Sequence, residues 1–413
     1  MEKKQLIGCI ADDFTGAADV CSFLVESGAS CVLVNDIPKH IPKLEVEVVV
    51  IALKIRTVSK EKALSKVKDA IDFFEKIGVT KIYDKYCSTF DSTSEGNIGP
   101  VLDYLIDRYN QKYSIISPAL PDNNREVFNG YLFADGVLLN EGSMANHPLT
   151  PMKDAKLSRL MDAQSKYKSY SLNYKIIEKG KDSINFFVNN IDKDNKFYII
   201  SDYFKNIHGE NIIESFGNLK ILSGSSVLIR DWYKYLFKNK ENKKVEIYEK
   251  NSGKSILFSG SLSNQTQKQI KNFIDNNGYA IEVKAKYINE EYIKKIKNII
   301  LNSNENILFF STRDENISTE ELKINANKLE EFFSEIAVFA YENDIKKIVV
   351  AGGETSGAII KSLPFEFYKS TALVDSGVPV LRPLENTKFQ IILKSGNFGQ
   401  EDFFNRSIEI MES

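Results

Sequence analysis

The sequence contains few of the residues that hold proteins together through covalent or metal bonds. Its 413 residues include four cysteines and three histidines, and no two cysteines have the CxxC spacing of a zinc or redox site. Cys9, Cys21, Cys31 and Cys87 lie in apolar surroundings near the start of the chain. They are predicted to be small core residues of a protein from a reducing compartment, which excludes a disulfide framework and a structural zinc site.

An excess of charge of one sign is also missing. Lys and Arg number 54 against 56 Asp and Glu, which gives a net charge of -2. This balance predicts neither a nucleic-acid nor a membrane-surface partner. No uncharged apolar run is long enough to cross a bilayer, and no signal peptide pattern opens the chain. We therefore expect a cytoplasmic protein that binds small molecules at local sites, and a homo-oligomer remains open.

The hydrophobic pattern indicates an α/β protein. Short β-branched runs alternate with longer amphipathic stretches along the whole chain, which is typical of βα units in a mostly parallel sheet. A chain of this length is predicted to form two domains. The sequence thus predicts two three-layer α/β domains with an active-site cleft between them. A run rich in Lys, Asn and Glu predicts a linker at 237–254, between domains at 1–236 and 255–413.

Individual elements can be predicted from the same pattern. A helix is expected from Ser59 to Phe74, another after Asn264, and a hairpin at 130–142 with Asp135-Gly136 at its turn. The candidate strands are Leu6 to Ile10, Cys31 to Val34, Val48 to Leu53, Lys81 to Tyr83, Ser114 to Ser117, Phe197 to Ser201, Ser255 to Ser259, Ile307 to Phe310, Ile348 to Val350 and Phe389 to Leu393.

Two adjacent carboxylates follow the first strand. Asp12 and Asp13 open the segment ADDFTGAAD, which enters a helix. Ligands of open α/β sheets bind beyond the carboxyl ends of the strands, so these side chains are candidates for a substrate site in which one of them accepts a proton. The alternative is that an aspartate only caps the helix.

A second polar segment follows the strand at Lys81 to Tyr83. Lys85, Ser88 and Asp91 lie in KYCSTFDST, whose short hydroxyl side chains suit a polyhydroxylated acid, although such a segment can equally be a turn that caps a helix. Arg56, after the third strand, could pair with a carboxylate in a bidentate manner or be a surface charge.

The histidines carry less information. His147 is followed by two prolines at 148 and 151, so it could be a rigid ligand contact or could satisfy a nearby carbonyl. His40 and His208 are expected to be solvated in polar loops.

Glycine-rich loops dominate the second half. The segments SGSLS at 259–263, AGGETSG at 351–357 and KSGNFG at 394–399 each follow a candidate strand. Glycines let the main chain approach a phosphate closely, and helix N-termini direct N–H groups at it. Three such loops at one sheet edge predict an anion site. Neither the GxxxxGK[ST] P-loop nor GxGxxG occurs, so a Walker ATPase or a dinucleotide enzyme is not indicated.

Taken together, these segments resemble the four-carbon acid sugar kinase family. The resemblance rests on IADDFTGA at 10–17, STFDST at 88–93 with GNIG at 96–99, HPLTPM at 147–152, GGETSG at 352–357 and KSGNFG at 394–399. The matches occur in family order across nearly the whole chain, and HPLTPM looks most like the 3-oxo-tetronate kinase branch. Erythronate and threonate kinases are close relatives of that branch.

The resemblance implies an N-terminal domain that binds a sugar acid and a C-terminal domain that binds ATP, with phosphoryl transfer to a terminal hydroxyl. In this hypothesis Arg56, Lys85, Ser88, Asp91 and His147 hold the acid, and Asp13, or failing that Asp12, orients or deprotonates its hydroxyl. Nucleotide phosphates are assigned to Ser261, Gly353, Glu354, Thr355, Ser356 and Gly396. Mg²⁺ is expected on the phosphates, with Glu354 as a candidate ligand.

Overall fold

The chain forms two compact units, Met1–Asn242 and Lys243–Ser413. The computed structural model describes residues 5–146, 150–191, 194–240, 251–312 and 318–412. The ends of the predicted linker pack on their own units. Lys240 Nζ lies 2.8 Å from Glu47 Oε2 in the first unit, and Asn251 is buried in the second. The domain boundaries given above, and the linker between them, stay predictions.

The first unit is built on one parallel sheet. Its eight strands are β1 (Ile7–Ala11), β2 (Cys31–Asn35), β3 (Val48–Ala52), β4 (Lys81–Lys85), β5 (Tyr113–Ser117), β9 (Lys168–Leu172), β10 (Phe197–Ser201) and β11 (Ile221–Gly224). They lie side by side in the order β2-β3-β1-β4-β11-β5-β10-β9.

The helices of this unit cover the sheet. They are α1 (Phe14–Glu26), α2 (Lys60–Ile77), α3 (Ile98–Arg108), α4 (Leu157–Gln164), α5 (Tyr174–Ile177), α6 (Lys181–Asn189), α7 (Asn206–Phe216) and α8 (Ser226–Leu236). Helix α2 shows why the local sequence folds this way, since Ser59 caps its first turn and Gly78, with φ 81°, ends it. Strands β1 and β3 are apolar along their length, and every residue of both strands is buried.

The order of the strands defines where a ligand can bind. From β1 the chain moves across β3 to β2, and from β3 it moves the other way across β1 to β4. Since such crossovers are right-handed, α1 and α2 lie on opposite faces of the sheet. The carboxyl ends of β1, β3 and β4 therefore form the switch point at which open α/β sheets bind ligands.

A small antiparallel sheet projects from the first unit. It contains β6 (Arg125–Phe128), β7 (Tyr131–Ala134) and β8 (Val137–Leu138). Asp135 and Gly136 join β7 to β8 with φ of 54° and 77°, as a tight turn with two left-handed residues requires. The predicted hairpin is confirmed, while β6 was not predicted.

The second unit repeats the α/β plan. Its sheet has the order β13-β14-β12-β15-β18-β17-β16. Strands β12 to β15 and β18 pair in parallel, and β17 pairs antiparallel with both β16 and β18. The strands are β12 (Ser255–Ser259), β13 (Tyr279–Glu282), β14 (Ile307–Phe310), β15 (Lys347–Ala351), β16 (Phe367–Asp375), β17 (Val378–Pro383) and β18 (Gln390–Lys394). The helices are α9 (Asn264–Asp275), α10 (Glu290–Asn302), α11 (Thr319–Glu342), α12 (Gly353–Ser362) and α13 (Phe403–Glu412).

The predicted fold class is confirmed in each unit, and all ten predicted strands are present within about two residues at each end. Two side-chain predictions are wrong. His208 is fully buried in α7 rather than solvated, with its Nε2 3.3 Å from Glu178 Oε1. Cys87 is only half-buried and lies in a loop, unlike the buried Cys9, Cys21 and Cys31. No helix of the described residues combines the length and apolar character that a membrane span needs.

Candidate functional site

The carboxyl ends of β1, β3 and β4 bring the predicted acid-site residues together. Asp12 follows β1, Arg56 lies beyond β3, and Lys85 ends β4. The parallel ladder continues past the strand ends, because Asp12 N donates to Lys85 O at 3.1 Å and Ile55 N donates to Asp12 O at 3.1 Å. This backbone frame fixes the positions from which the side chains project.

Arg56 is the centre of an ion cluster. Its Nε and Nη2 contact the two carboxylate oxygens of Asp12 at 2.7 and 2.9 Å. Nη2 also lies 2.7 Å from Asp13 Oδ2, and Nη1 lies 3.7 Å from Asp91 Oδ2. Arg56 is therefore not a surface charge. Because Asp12 already occupies its bidentate face, Arg56 is better placed to hold Asp12 and Asp13 than to bind a substrate carboxylate.

The two adjacent aspartates differ in proton affinity. Burial raises the pKa of Asp12, the charge of Arg56 opposes this shift, and the charge of Asp13 adds to it. Burial also acts to raise the pKa of Asp13, but the charges of Arg56 and Lys85 and the Gly16 N–H outweigh it and hold that pKa below its usual value. A pair of carboxylates whose pKa values move apart is typical of acid–base sites.

Asp13 has two structural roles at once. It is the N-cap of α1, where its Oδ1 accepts a hydrogen bond from Gly16 N at 2.5 Å. The same side chain contacts Arg56 and is 29% exposed, against 12% for Asp12. The capping interpretation and the site interpretation are thus compatible, and Asp13 is the more accessible carboxylate of the two.

Lys85 is buried beneath this cluster. Its Nζ donates to Tyr86 O at 3.0 Å. A Cβ placed on Gly16 would lie 3.4 Å from that Nζ and 2.7 Å from Asp13 Oδ1. The small residue at position 16 therefore lets the start of α1 approach both charged groups.

The loop after β4 contributes a carboxylate and a hydroxyl. Thr89 Oγ1 donates to Asp91 Oδ1 at 2.7 Å, which orients Asp91 toward Arg56. Ser88 is half-buried, and its hydroxyl forms no hydrogen bond within the described part of the chain. Asp91 thus joins the cluster, while Ser88 forms no hydrogen bond with it. His147 lies outside the described residues.

Several residues of this region were not predicted. Asn97 Nδ2 donates to the carbonyls of Ile55 and Val58 at 2.7 and 2.9 Å and so fixes the segment that carries Arg56. Asp84 is buried, and burial together with the charge of Asp12 holds its pKa well above the usual value. Asn97 and Asp84 line a small pocket, whose walls are Asp12, Ile55, Arg56, Asp84, Tyr86, Asp91, Ser92, Asn97, Ile98 and Val101.

Asp19 is a further buried carboxylate that was not predicted. Its Oδ2 accepts a short hydrogen bond from Ser226 at the start of α8, and its Oδ1 has no partner within the described residues. Burial raises the pKa of Asp19 from 3.8 to about 6, although the charge of Lys85 and the Ser226 hydroxyl oppose the shift.

This shift makes a prediction about stability. A carboxyl whose pKa is higher in the folded state stabilises the fold most below its unfolded pKa, and that stabilisation is lost as pH rises toward 6. The unfolding free energy of the wild type, relative to Asp19→Asn, should therefore fall by roughly 2 kcal/mol between pH 4 and pH 7. Chemical denaturation across this range measures the difference. A difference that stays constant with pH would show that Asp19 does not titrate in this way.

The three glycine loops of the second unit meet at one edge of its sheet. Gly260 N donates to Ala351 O at 3.1 Å, and Gly352 N donates to Lys394 O at 2.9 Å. A Cβ on Gly352 would lie 3.1 Å from Ser261 N, and a Cβ on Gly396 would lie 2.5 Å from Ser261 Oγ. The loops after β12, β15 and β18 therefore pack against one another, as the sequence predicts.

The predicted nucleotide residues are grouped around this junction. Gly353 is the first residue of α12, Glu354 is exposed in its first turn, and Thr355 and Ser356 are buried. The buried Ser356 hydroxyl has no partner within the described residues. Glycine-lined turns, a helix N-terminus and an unpaired hydroxyl suit a phosphate group. No group of three or more His, Cys, Asp or Glu among the described residues could hold a metal ion.

Comparison with known proteins gives the family. Residues 7–231 match the model of a sugar-binding N-terminal domain, and residues 256–404 match that of a nucleotide-binding C-terminal domain. The 3-oxo-tetronate kinase of Haemophilus influenzae is 36% identical over 97% of this chain and 98% of its own. The chain belongs to the four-carbon acid sugar kinase family.

Two solved structures resemble this chain over nearly its whole length. A crystal structure of a Haemophilus influenzae protein is 35% identical, with a TM-score of 0.79 over 98% of this chain and all of that one. A crystal structure from Salmonella typhimurium, provisionally described as a tRNA synthase, is 31% identical, with a TM-score of 0.86 over the whole of both chains. The fold described above is thus shared with both of these solved structures.

Proposed function

We propose that this chain is an ATP-dependent kinase that phosphorylates 3-oxo-tetronate on its terminal hydroxyl and yields 3-oxo-tetronate 4-phosphate. The proposal rests on two groups of residues. In the first unit, Asp12, Asp13, Arg56 and Asp91 lie together at the switch point of the sheet. In the second unit, three glycine loops meet at one edge of the sheet. The similarity to a protein named 3-oxo-tetronate kinase supports the choice of substrate.

The acid would be held by the first unit. Carboxylates accept hydrogen bonds from sugar hydroxyls, so Asp12 and Asp91 would bind the hydroxyl groups while Arg56 keeps these carboxylates in place. Lys85 would supply the positive charge for the acid's own carboxylate, since its buried ammonium lies beside Asp13 and the Gly16 turn. Ser88 and His147 stay predicted contacts of the acid.

The attacking hydroxyl would be oriented by Asp13. Phosphoryl transfer needs little covalent help from the protein, because the main tasks are alignment of the hydroxyl with the γ-phosphate and neutralisation of charge. Asp13 is the more exposed aspartate and would accept the proton as the oxygen bonds to phosphorus. The low pKa of Asp13 favours orientation of the hydroxyl over early removal of its proton.

The nucleotide phosphates would lie on the second unit, at Ser261, Gly353, Thr355, Ser356 and Gly396. Mg²⁺ would neutralise the phosphate charge there. The described residues contain no preformed cluster of metal ligands, so the ion would take most of its ligands from phosphate and water. Glu354 is the protein side chain that we propose as a further ligand. A cytoplasmic location, and the absence of a nucleic-acid partner, stay predictions.

Three alternatives remain distinct from this proposal. Erythronate or threonate could be the preferred acid, the chain could be a nucleotide-responsive binding protein without turnover, or it could act on RNA as the description of the Salmonella protein implies for that protein. The near-neutral net charge of -2 disfavours RNA binding. The carboxylate cluster disfavours a binding protein, because a sensor needs no proton acceptor.

A substrate panel identifies the preferred acid and distinguishes a kinase from a binding protein. ADP release from ATP is measured with 3-oxo-tetronate, D-erythronate and L-threonate, using the full chain. We expect the highest kcat/KM with 3-oxo-tetronate. A higher value with erythronate or threonate would change the assigned substrate, and binding of ATP and acid by calorimetry without ADP release would exclude a kinase.

A further inference from the structure

The carbonyl of Gly396, in the third glycine loop, is held by three donors at once. It accepts hydrogen bonds from Ser263 Oγ at 2.6 Å, Thr266 Oγ1 at 2.7 Å and Lys394 Nζ at 3.1 Å. A carbonyl oxygen has two lone pairs, and three donors around this oxygen leave it no capacity to accept a further hydrogen bond. The peptide that joins Gly396 to Asn397 therefore has a fixed orientation.

The rest of the loop is held from the same side. Gln269 Nε2 contacts the carbonyls of Phe398, Gly399 and Gln400 at 3.0, 2.8 and 2.8 Å. Gln265 Nε2 also donates to Gly399 O at 2.8 Å. Side chains from the first turns of α9 thus bind the loop through its carbonyl oxygens.

This arrangement determines where an N–H group points. In a planar trans peptide the carbonyl and the next N–H point in opposite directions. Because the Gly396 carbonyl is directed toward α9, the Asn397 N–H is directed away from it. Within the described residues that N–H donates to no protein acceptor. The loop therefore presents a backbone donor whose direction is set by three side-chain groups.

Lys394 also places a buried amine without a carboxylate partner beside the loop. It is fully buried, its Nζ contacts Thr266 Oγ1 at 2.9 Å and Ser395 O at 3.2 Å, and the ring of Phe403 lies 5.3 Å away. Burial lowers the pKa of Lys394 from 10.5 to about 7. A buried ammonium without a carboxylate partner is costly unless an anion arrives.

The charged groups on the surrounding strands and helices do not supply that anion. Lys347 of β15 pairs with Glu412 of α13 at 2.7 Å, and Arg382 of β17 donates to Thr387 O at 2.6 Å. From α9 the group that faces Lys394 is the Thr266 hydroxyl, and from α13 it is the Phe403 ring. Helix α12 carries Glu354 and Lys361, and no carboxylate in the described part of the chain, Glu354 included, forms an ion pair with Lys394.

We propose that Lys394 is a positioning residue for a nucleotide phosphate: with Ser263 and Thr266 it fixes the Asn397 N–H as a phosphate donor, and it takes up a proton as the phosphate binds. The inference rests on the proposed function, because it takes the anion to be the nucleotide. The phosphate charge stabilises the ammonium form, so binding and protonation favour each other.

The test is calorimetric titration of the full chain with MgADP at pH 8 in two buffers that differ in ionisation enthalpy. The difference in apparent binding enthalpy gives the number of protons taken up. We expect the wild type to take up a large fraction of one proton and Lys394→Met to take up none beyond the ionisation of ADP itself. ADP affinity of the variant should be about 10- to 100-fold weaker, as for loss of a charged hydrogen-bonding group. Equal proton uptake by both proteins would overturn the inference.

Further variants separate positioning from misfolding. Thr266→Ser keeps the hydroxyl and should bind ADP as the wild type does, whereas Thr266→Val should bind it about 10-fold more weakly. Lys347→Met, which removes another buried lysine of the same sheet, should leave proton uptake unchanged. Affinity for adenosine, which has no phosphate, should be the same in the wild type and in Lys394→Met, and a parallel loss would overturn the inference. If the wild type binds no ADP, the proposed function itself is wrong.

Discussion

Replacement of Asp13 by asparagine is expected to lower kcat by about 100-fold or more. Asp13 Oδ2 lies 2.7 Å from Arg56 Nη2, and Oδ1 caps α1 through Gly16 N. Asparagine has nearly the same shape and caps helices about as well as aspartate, so the fold should be retained. It carries no charge and cannot accept the proton of the attacking hydroxyl. Steady-state ADP release with 3-oxo-tetronate measures kcat, and thermal unfolding checks the fold.

Two further variants, one at a surface ion pair and one at the neighbouring aspartate, serve as comparisons for Asp13→Asn. Asp72→Asn makes the same change in an exposed ion pair with Arg108, at 3.1 Å, and should leave kcat unchanged, since such surface pairs contribute little. Asp12→Asn removes the bidentate partner of Arg56. A much larger loss of kcat in Asp12→Asn than in Asp13→Asn would identify Asp12 as the proton acceptor. Unchanged turnover in Asp13→Asn would remove Asp13 from the mechanism.

Replacement of Gly352 by alanine is expected to weaken ATP binding by about 10- to 100-fold while binding of the acid is retained. Gly352 has φ 123°, a conformation that costs a residue with a Cβ about 1–3 kcal/mol. The new Cβ would also lie 3.1 Å from Ser261 N, in the backbone of the neighbouring loop. The glycine loops would therefore move apart. Calorimetric titration with a non-hydrolysable ATP analogue and, separately, with the acid measures both affinities.

Gly357 provides the control for this substitution. It lies in the same helix, α12, and a Cβ added there meets no atom within 4 Å. Gly357→Ala should bind ATP normally and should be more stable by about 0.5–1 kcal/mol, as expected for glycine to alanine inside a helix. Equal ATP affinity in Gly352→Ala and Gly357→Ala would contradict a phosphate site at the loop junction.

Local sequence predicted the positions of the main chemical groups. Asp12, Asp13 and Arg56 each follow a strongly apolar parallel strand, and parallel strands bring their carboxyl ends to one sheet edge. The glycine loops follow β12, β15 and β18 for the same reason. What could not be predicted is which groups touch, for example that Asp12 occupies the fork of Arg56.

Other features depend on contacts between distant segments. Asp84 lies inside a strand and Asp19 inside a helix. Neither is therefore in a loop after a strand, which is where the sequence indicates a site, and only the fold shows that both are buried. Lys394 opens a recognised glycine segment, yet its environment comes from Thr266, 128 residues away in the chain. The edge strand β9 was missed because its sequence, KSYSL, is polar and only partly buried.

The antiparallel end of the second sheet was also missed. The sequence of β16, FYKSTALVD, mixes exposed and buried residues, and its pairing with β17 contains two register shifts. Such irregular strands lack the period-two alternation by which a strand is recognised. Ten parallel strands contain apolar runs of the kind typical of strands buried on both faces and were therefore found, whereas the parallel strands β9, β11 and β13 were not predicted.

Proton-coupled phosphorus NMR of the reaction product tests the central claim most directly. The full chain is incubated with ATP, Mg²⁺ and 3-oxo-tetronate, and the new phosphate ester signal is recorded beside that of ADP. Transfer to the C4 hydroxyl, which is on a carbon with two protons, predicts a triplet. A doublet would place the phosphate on the C2 hydroxyl, and release of inorganic phosphate without an ester would contradict transfer to the sugar acid altogether.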